Sequence, residues 1–257
     1  LLSAAKFDQN YNSQYSYIAK VGYPMGMMYG FIYEGTYKYE DFDKVGDTYT
    51  LKRNVPYFSS ESNTQPGMPK YADLNGDGII DDNDRTMIGN GMPKHTGGFT
   101  NNFEYKGFDL SIFFQWSYGN DVLNANRLFF ENSNKTRDLN QYASYADRWT
   151  PENPESNIPR ATDSGSNKVF STRIIEDGSF LRLKTVSLGY TLPKQLTKKW
   201  KIDNARVFVA GQNLWTCTGY SGYDPEVSIR EGALTPGLDF SAYPRAYSIS
   251  FGINLGF

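Results

Sequence analysis

The last residues of the chain alternate between apolar and small or polar side chains. Residues 245–257 read RAYSISFGINLGF, and every odd-numbered position from Tyr247 to Phe257 is apolar. Successive side chains of a strand point to opposite faces, so this pattern predicts a strand with one apolar and one polar face. At ~3.3 Å per residue and ~45° tilt, such a segment rises ~30 Å, about the apolar thickness of a bilayer. The pattern therefore indicates a strand that crosses a membrane.

Further segments have strand character, and several share this alternation. They are residues 11–21, 26–37, 96–105, 108–118, 179–192 and 205–216. In segment 179–192 the apolar positions change from odd to even near Lys184 and Thr185. Two explanations remain open: a β-bulge, which is common at the rims of barrels, or a strand that begins elsewhere.

The connections between these segments are short and long in alternation. The short ones are 22–25, 106–107 and 193–204, and the long ones are 38–95, 119–178 and 217–244. Bacterial outer-membrane barrels have short periplasmic turns and long external loops. We therefore predict an all-β, antiparallel transmembrane barrel whose long loops are extracellular. Such barrels close with an even number of strands, so the odd number of segments predicts further strands before Leu1.

Composition agrees with this class of protein. Aromatic residues make up 16% of the sequence, including 20 Tyr and 17 Phe, which suits the aromatic girdles of a barrel. The net charge of −2 argues against a nucleic-acid partner, and the single Cys217 excludes an internal disulfide. The chain begins without Met or a signal peptide, so we expect it to be a portion of an exported protein.

Residues 73–84, DLNGDGIIDDND, match the twelve-residue calcium loop of EF-hand proteins. Gly78 lies where that loop turns sharply, and Asp replaces the usual Glu at the last position. The expected ligands are the main-chain carbonyl of Ile79 and the side chains of Asp73, Asn75, Asp77, Asp81 and Asp84. Such hard oxygen donors predict structural Ca²⁺ that fixes an external loop. The alternative is a solvated turn cluster without metal, which Asn, Asp and Gly form unaided.

Candidate catalytic groups do not form a recognisable set. His95 has no nucleophilic partner in the sequence, and neither a nucleophile elbow nor a phosphate-binding glycine loop occurs. We therefore predict a protein that is not an enzyme, with no catalytic or organic-cofactor residues. Aromatic residues of the long connections are candidates for stacking on sugar rings, although the abundance of Tyr weakens this hypothesis. They are Tyr142, Tyr145, Trp149, Tyr220 and Tyr223.

Several longer motifs carry a family resemblance that runs from about Tyr23 to Phe257. They are YADLNGDGIIDDNDRTMIGN, Pro93-Lys94, FFQWSYGND, RWTPENPESNIPRA, IEDGSFLRLKTVSLGYTLP, VFVAGQNLWT, YDPEVS and the terminal strand. With these motifs the chain resembles the carboxyl-terminal barrel portion of SusC/RagA-type TonB-dependent outer-membrane transporters. The family's ligand-binding residues are not set by a motif, so the substrate-binding residues stay unassigned.

The resemblance implies a barrel of about 22 strands with an amino-terminal plug. It implies TonB-driven import of a nutrient across the Gram-negative outer membrane, with a SusD-like surface lipoprotein as partner. Neither the plug nor the segment that contacts TonB lies in this sequence. An oligosaccharide is the expected substrate, and a peptide is the alternative within the family. The rivals from other classes are a soluble, calcium-stabilised β-sandwich that binds carbohydrate and a secreted β-sandwich enzyme domain.

Overall fold

The computed structural model describes residues 3–6, 15–132, 140–162, 169–229 and 232–257. These residues form two compact units. The loop unit comprises Leu1–Met92, Asp121–Glu176 and Val227–Ala242, and the sheet unit comprises Pro93–Asn120, Asp177–Glu226 and Tyr243–Phe257. The fold is all-β and mostly antiparallel, with a few short helices.

The described residues form eighteen strands, two short α-helices and six 3-10 helices. The strands are β1 (Ser3–Lys6), β2 (Tyr15–Ala19), β3 (Met27–Gly30), β4 (Tyr33–Thr36), β5 (Phe42–Val45), β6 (Thr48–Leu51), β7 (Tyr57–Phe58), β8 (Pro69–Tyr71), β9 (Ile79–Ile80), β10 (Thr86–Asn90), β11 (His95–Tyr105), β12 (Phe108–Tyr118), β13 (Asp121–Asn124), β14 (Ile175–Asp177), β15 (Phe180–Thr191), β16 (Asn204–Thr218), β17 (Leu238–Asp239) and β18 (Ser248–Gly256). The α-helices are α1 (Asn126–Phe130) and α2 (Lys194–Thr197). Short 3-10 helices span Tyr39–Asp41, Glu61–Asn63, Asp82–Asp84, Ala143–Asp147, Thr172–Ile174 and Lys198–Trp200. None of the helices in the described ranges is long and apolar enough to cross a bilayer.

The sheet unit is one antiparallel sheet in the order β11-β12-β15-β16-β18. Its strands match the predicted segments 96–105, 108–118, 179–192, 205–216 and 245–257 closely. β11 and β12 are joined at Lys106 and Gly107, both of which have positive φ, 47° and 88°. This backbone is that of the tight two-residue turn whose twist matches a hairpin.

The phase change in β15 is a bulge. Phe114 pairs with Leu183 and its neighbour Phe113 pairs with Thr185, so Lys184 is an extra residue of β15 without a partner in β12. The pairing with β16 shifts at the same place. The apolar positions therefore stay on one face although their parity in the sequence changes. The bulge explanation is confirmed, and the alternative of a misplaced strand start is wrong.

The loop unit contains the two predicted strands that do not belong to the main sheet. β2 and β3 pair with β1 and β10 in a separate sheet of four strands. Residues 11–14 of the first predicted segment lie outside the described residues. Tyr17 and Met28 are 1% and 0% exposed and pack with Leu123 and Leu238 in one core. The interpretation of these segments as further walls of the barrel is therefore wrong, because they are short and lie in a core of their own.

The turn at residues 22–25 was expected on the opposite side from the long connections. In the structure the Gly91 amide donates to the Gly26 carbonyl at 3.1 Å, and a Cβ on Gly26 would stand 2.5 Å from Pro236 Cγ. Pro236 belongs to the long connection 217–244. The residue that directly follows this turn therefore contacts a long connection within the loop unit, and the structure does not place the turn at the opposite end from the long connections.

Candidate functional site

One face of the main sheet is apolar across all its strands. The register aligns Leu110 with Leu188, Leu188 with Val209 and Val209 with Phe251. Phe99 on β11 faces Phe114 on β12, with ring centroids 4.9 Å apart. The apolar side chains of β18 are exposed: Ile249 is 57% exposed, Phe251 81% and Ile253 67%, and Tyr247, directly before the strand, is 74% exposed. An exposed apolar area that runs across several strands is unusual on a soluble monomer and marks a surface that meets another apolar medium.

The opposite face carries polar and charged groups. Arg206 Nε donates to Asp109 Oδ1 at 2.8 Å across the sheet. Between them, a Cβ on Gly189 would stand 2.3 Å from Arg206 Nη2, so the pair needs glycine there. Serines 111, 187 and 250 lie in one row of the same register. This face suits contact with water.

The predicted calcium loop is closed by hydrogen bonds from main-chain amides to its own side chains. Asp73 Oδ1 accepts from Gly76 N at 2.7 Å, and its Oδ2 accepts from Gly78 N at 2.8 Å. Asp84 is fully buried and accepts from Leu74 N and Asp81 N, both at 2.8 Å. The first and last residues of the predicted ligand set thus hold the two ends of the loop together.

In the middle of the loop, side-chain oxygens likewise accept hydrogen bonds from main-chain amides of the loop. Asn75 Oδ1 accepts from Asp77 N, and Asp77 Oδ1 accepts from Ile79 N, each at 2.8 Å. Asp81 Oδ1 accepts from Asn83 N at 2.8 Å and begins a 3-10 turn. Within the described part of the chain, no group of three or more carboxylate, imidazole or thiol side chains converges as metal ligands would. The structure therefore gathers the predicted residues into one ordered loop and satisfies their oxygens with amides.

A buried ion pair that the sequence pattern did not single out ties the connection 217–244 to β15. The side chains of Arg182 and Asp224 are 3% and 5% exposed, and Nη2 lies 2.5 Å from Oδ1. Burial would raise the pKa of Asp224, but the Arg182 guanidinium and the amides of Glu226 and Arg245 hold that pKa below its ordinary value. The signal was present in the sequence: an arginine between Leu181 and Leu183 in a strand needs an acidic partner when buried.

A second buried ionic cluster lies in the loop unit. Glu131, whose side chain is 2% exposed, accepts from Arg173 Nη2 at 2.6 Å and from Arg127 Nε at 3.1 Å. Ser144 Oγ donates to its other oxygen at 2.8 Å. These contacts join α1 to the segment before β14 and to the 3-10 helix at Ala143–Asp147, so the cluster orders the connection 119–178.

Three of the five candidate stacking aromatics are buried. Tyr145, Trp149 and Tyr220 are 4%, 4% and 5% exposed. The Arg160 guanidinium lies 5.5 Å from the centre of the Trp149 ring, and Gly67 packs against that ring. The hypothesis that these three rings stack on sugars is therefore wrong, because their faces pack inside the protein. Tyr142 and Tyr223, 36% and 87% exposed, keep accessible rings.

The sole histidine has a structural contact. Trp116 Nε1 donates to His95 Nδ1 at 3.1 Å, and the His95 and Tyr118 rings stack with centroids 5.1 Å apart. Cys217 is a free, exposed thiol.

Comparisons with known proteins agree with the resemblance drawn from the motifs. No protein-family model matches the chain. TonB-dependent receptor P3 of Formosa agariphila is 34% identical over 247 residues, which is 93% of this chain and 23% of that protein. TonB-dependent receptor P26 of the same organism is 39% identical over 197 residues, 74% of this chain and 20% of that protein.

The chain belongs to the TonB-dependent receptor family. TonB-dependent receptor SusC of Bacteroides thetaiotaomicron is 28% identical over 198 residues, 77% of this chain and 18% of that protein. A solved structure of the RagAB peptide transporter aligns with a TM-score of 0.71 and 26% identity, over 94% of this chain and 24% of that one. The resemblance to the SusC/RagA type is thus confirmed. The chain spans between 18% and 26% of the length of the curated TonB-dependent receptors that it matches.

Proposed function

We propose that this chain forms part of the wall and the external loops of a TonB-dependent importer in the outer membrane of a Gram-negative bacterium. The observation that carries the proposal is the apolar face that runs in register across β11, β12, β15, β16 and β18. Lipid hydrocarbon is the medium that such a face fits, and the polar face with Asp109 and Arg206 then meets water in the lumen.

The two edge strands support a larger, closed barrel. β11 and β18 each have a neighbour on one side only within the described sheet. In hydrocarbon an open edge would leave amides and carbonyls without partners, at several kcal/mol each. We therefore propose that strands outside this sequence complete a barrel of about 22 strands, of which this chain is the carboxyl-terminal portion.

The mechanism we propose is transport without bond chemistry in this chain. TonB would act on a plug that belongs to the remainder of the protein, and a SusD-like lipoprotein would cover the external opening. An oligosaccharide is the first candidate substrate. A peptide is the second candidate, and it is favoured by the similarity to the RagAB peptide transporter.

We also propose that loop 73–84 holds structural Ca²⁺. The donors offered are the side chains of Asp73, Asn75, Asp77, Asp81 and Asp84 and the carbonyl of Ile79, a set of hard oxygens typical of calcium loops. Gly78, with φ of 85°, supplies the sharp turn that such a loop requires. The competing hypothesis is the metal-free turn cluster, which the amide hydrogen bonds of the loop also favour.

The test of the main proposal uses the intact protein that contains this chain. We expect the protein in the outer-membrane fraction, dependence on detergent after extraction, and nutrient uptake that is lost in a strain lacking TonB. A monodisperse protein in buffer without detergent would contradict the membrane assignment and favour the soluble carbohydrate-binding module. Uptake that persists without TonB would contradict the transport mechanism alone.

A further inference from the structure

The loop unit contains a pocket of about 460 Å³ between β2, β3 and the start of β10. Its lining includes Tyr15, Lys20, Tyr29, Asp82, Arg85 and Thr86. The volume lies in the range of small-molecule sites, and the mixture of aromatic rings with a few charged groups is typical of them. None of the predicted calcium ligands lines this pocket, although Asp82 belongs to the same loop 73–84.

Arg85 is the residue that gives the pocket its chemistry. Its side chain is 5% exposed, and the guanidinium carbon lies 4.6 Å from the centre of the Tyr29 ring. Nη2 donates to the main-chain carbonyl of Tyr15. Among the described residues, Nε is buried and has no hydrogen-bond acceptor. A buried donor without an acceptor is costly, so an anion that accepts a hydrogen bond from this guanidinium would be favoured.

The charges around Arg85 favour a single negative charge on that partner. Asp82 Oδ1 lies 3.9 Å from Arg85 Nη1, but the Asp82 side chain is 82% exposed and neutralises Arg85 only in part. Lys20 adds a second cation, whose Nζ stands 5.3 Å from the centre of the Tyr23 ring. Two cations and one carboxylate leave one net positive charge, which matches a carboxylate better than a doubly charged phosphate.

We propose that this pocket binds a carboxylate group of the transported nutrient, with Arg85 as its principal contact and Lys20 as an auxiliary one. The proposal rests on the proposed transport function and narrows the substrate class to acidic molecules. An acidic sugar and an acidic peptide offer the same carboxylate, and the rings of Tyr15 and Tyr29 suit the apolar surfaces of either.

The position of Arg85 links the pocket to loop 73–84. Arg85 directly follows Asp84, the buried residue that closes the loop, and precedes β10. The 3-10 helix at Asp82–Asp84 is capped by Asp81 and Asp84. The ordered loop therefore fixes the main chain at Arg85, and its integrity is needed to hold the guanidinium beside Tyr29.

The experiment measures binding to the intact, detergent-solubilised protein by titration calorimetry. The acidic probes are trigalacturonate and the tripeptide Glu-Glu-Glu, and the neutral probes are galactotriose and Gln-Gln-Gln. The variants are R85Q, R85K and K20Q. The control is K44Q, because Lys44 stands 5.2 Å from the centre of the Tyr49 ring and so resembles Lys20 in its setting.

We expect at least one acidic probe to bind more tightly than its neutral counterpart. R85Q should weaken that binding about tenfold or more, K20Q should weaken it about threefold, and K44Q should leave it unchanged. R85K should restore part of it. The arm that binds identifies the source of the carboxylate as sugar or peptide.

Several results would overturn the proposal. They are no binding of either acidic probe, equal binding of acidic and neutral probes, or acidic binding that R85Q and K20Q leave intact. If R85Q fails to fold, K20Q decides. TonB-dependent uptake by the same protein is measured in parallel. Uptake without acidic-probe binding that depends on Arg85 and Lys20 would reject this inference alone. Such binding without TonB-dependent uptake would reject the proposed function alone.

Discussion

Arg182 and Asp224 form a buried ion pair, 2.5 Å from Nη2 to Oδ1, although they lie 42 positions apart in the chain. Asp224 also accepts from the amides of Glu226 and Arg245, at 2.9 and 3.3 Å. One carboxylate thus fixes β15, the connection after β16 and the approach to β18. This arrangement makes Asp224 the residue on which the order of that connection depends.

Replacing Asp224 with Ala should destabilise this region strongly. Removing one partner of a buried ion pair costs up to about 3–5 kcal/mol. Glu226 Oε2, 3.7 Å from Arg182 Nη1 and partly exposed, would compensate the remaining charge only in part. We expect faster proteolysis within the connection 217–244 and a lower temperature at which the protein unfolds on gels. The control is Asp203→Ala, which removes an exposed carboxylate of the same unit and should be silent. Equal behaviour of the two variants would show that the pair contributes little.

The buried Glu131 should make the loop unit sensitive to acid. Burial alone would raise the pKa of Glu131, but hydrogen bonds from Arg127 and Ser144 and the charges of Arg173 and Arg127 hold the pKa below its ordinary value of 4.5. Because the pKa of Glu131 is lower in the folded than in the unfolded protein, its ionised form stabilises the fold at pH values above the ordinary pKa. This stabilisation is lost as the pH falls through the pKa of the folded state.

We therefore expect the protection of α1 and β14 amides against hydrogen exchange, relative to their intrinsic exchange rates, to fall as the pH drops below about 4.5. Glu131→Gln should be less stable at neutral pH and should lose much of this acid dependence. Glu152→Gln, which alters an exposed carboxylate of the same connection, should keep the profile of the parent protein. If Glu131→Gln shows the same pH dependence of protection as the parent protein, Glu131 is not the cause of the acid sensitivity.

The assignment of the apolar face is tested by two neighbouring substitutions in β18. Ile249→Arg should cost about 2–4 kcal/mol of folding stability in the membrane, because the charge would enter hydrocarbon. Ser250→Arg lies on the other face, toward water, and should cost much less. Reversible unfolding in lipid vesicles measures both. The opposite order, with Ser250→Arg worse, would mean that the two faces have been exchanged.

The calcium proposal can be separated from the turn alternative by comparing two loop residues. Asp77→Ala removes an exposed proposed ligand together with the acceptor of the Ile79 amide. If the loop binds Ca²⁺, adding Ca²⁺ should protect the parent loop and should protect the Asp77→Ala loop much less. Asp84→Ala removes the buried acceptor of Leu74 and Asp81 amides and should loosen the loop with or without Ca²⁺.

Limited proteolysis of loop 73–84 in Ca²⁺ and in chelator provides the measurement. Asp82→Ala is the matched control, because Asp82 lies in the same stretch but outside the proposed ligand set. Identical cleavage of the parent protein in both buffers, together with an anomalous-scattering map that lacks an ion in the loop, would leave the metal-free turn as the explanation.

The long strands could be predicted from sequence because side-chain direction in a strand is local. In β12 and β18 the parity of each apolar residue fixes the face on which it lies, whatever the rest of the chain does. The bulge at Lys184 was visible for the same reason, as a change of parity within one segment. The tight turn at Lys106 and Gly107 likewise depends on only two residues.

β2 and β3 show where this reasoning stops. Their apolar residues are as frequent as those of the long strands, and the sequence does not state whether lipid or protein covers them. Tyr17 and Met28 are buried because Leu123 and Leu238, each more than ninety positions distant in the sequence, complete their core. Burial of this kind is a property of long-range packing, and no local pattern encodes it.

The sequence by itself determined the antiparallel strands of the main sheet, the two chemically distinct faces of that sheet, the family, and the residues gathered in loop 73–84. Only the tertiary structure decided that β2 and β3 form a separate sheet, that Tyr145, Trp149 and Tyr220 are packed inside, that Arg182 meets Asp224, and that Arg85 lines a pocket. The physical reason is range. Strand parity and turn geometry depend on neighbours in the chain, whereas a core, a buried ion pair and a pocket depend on which distant segments come together.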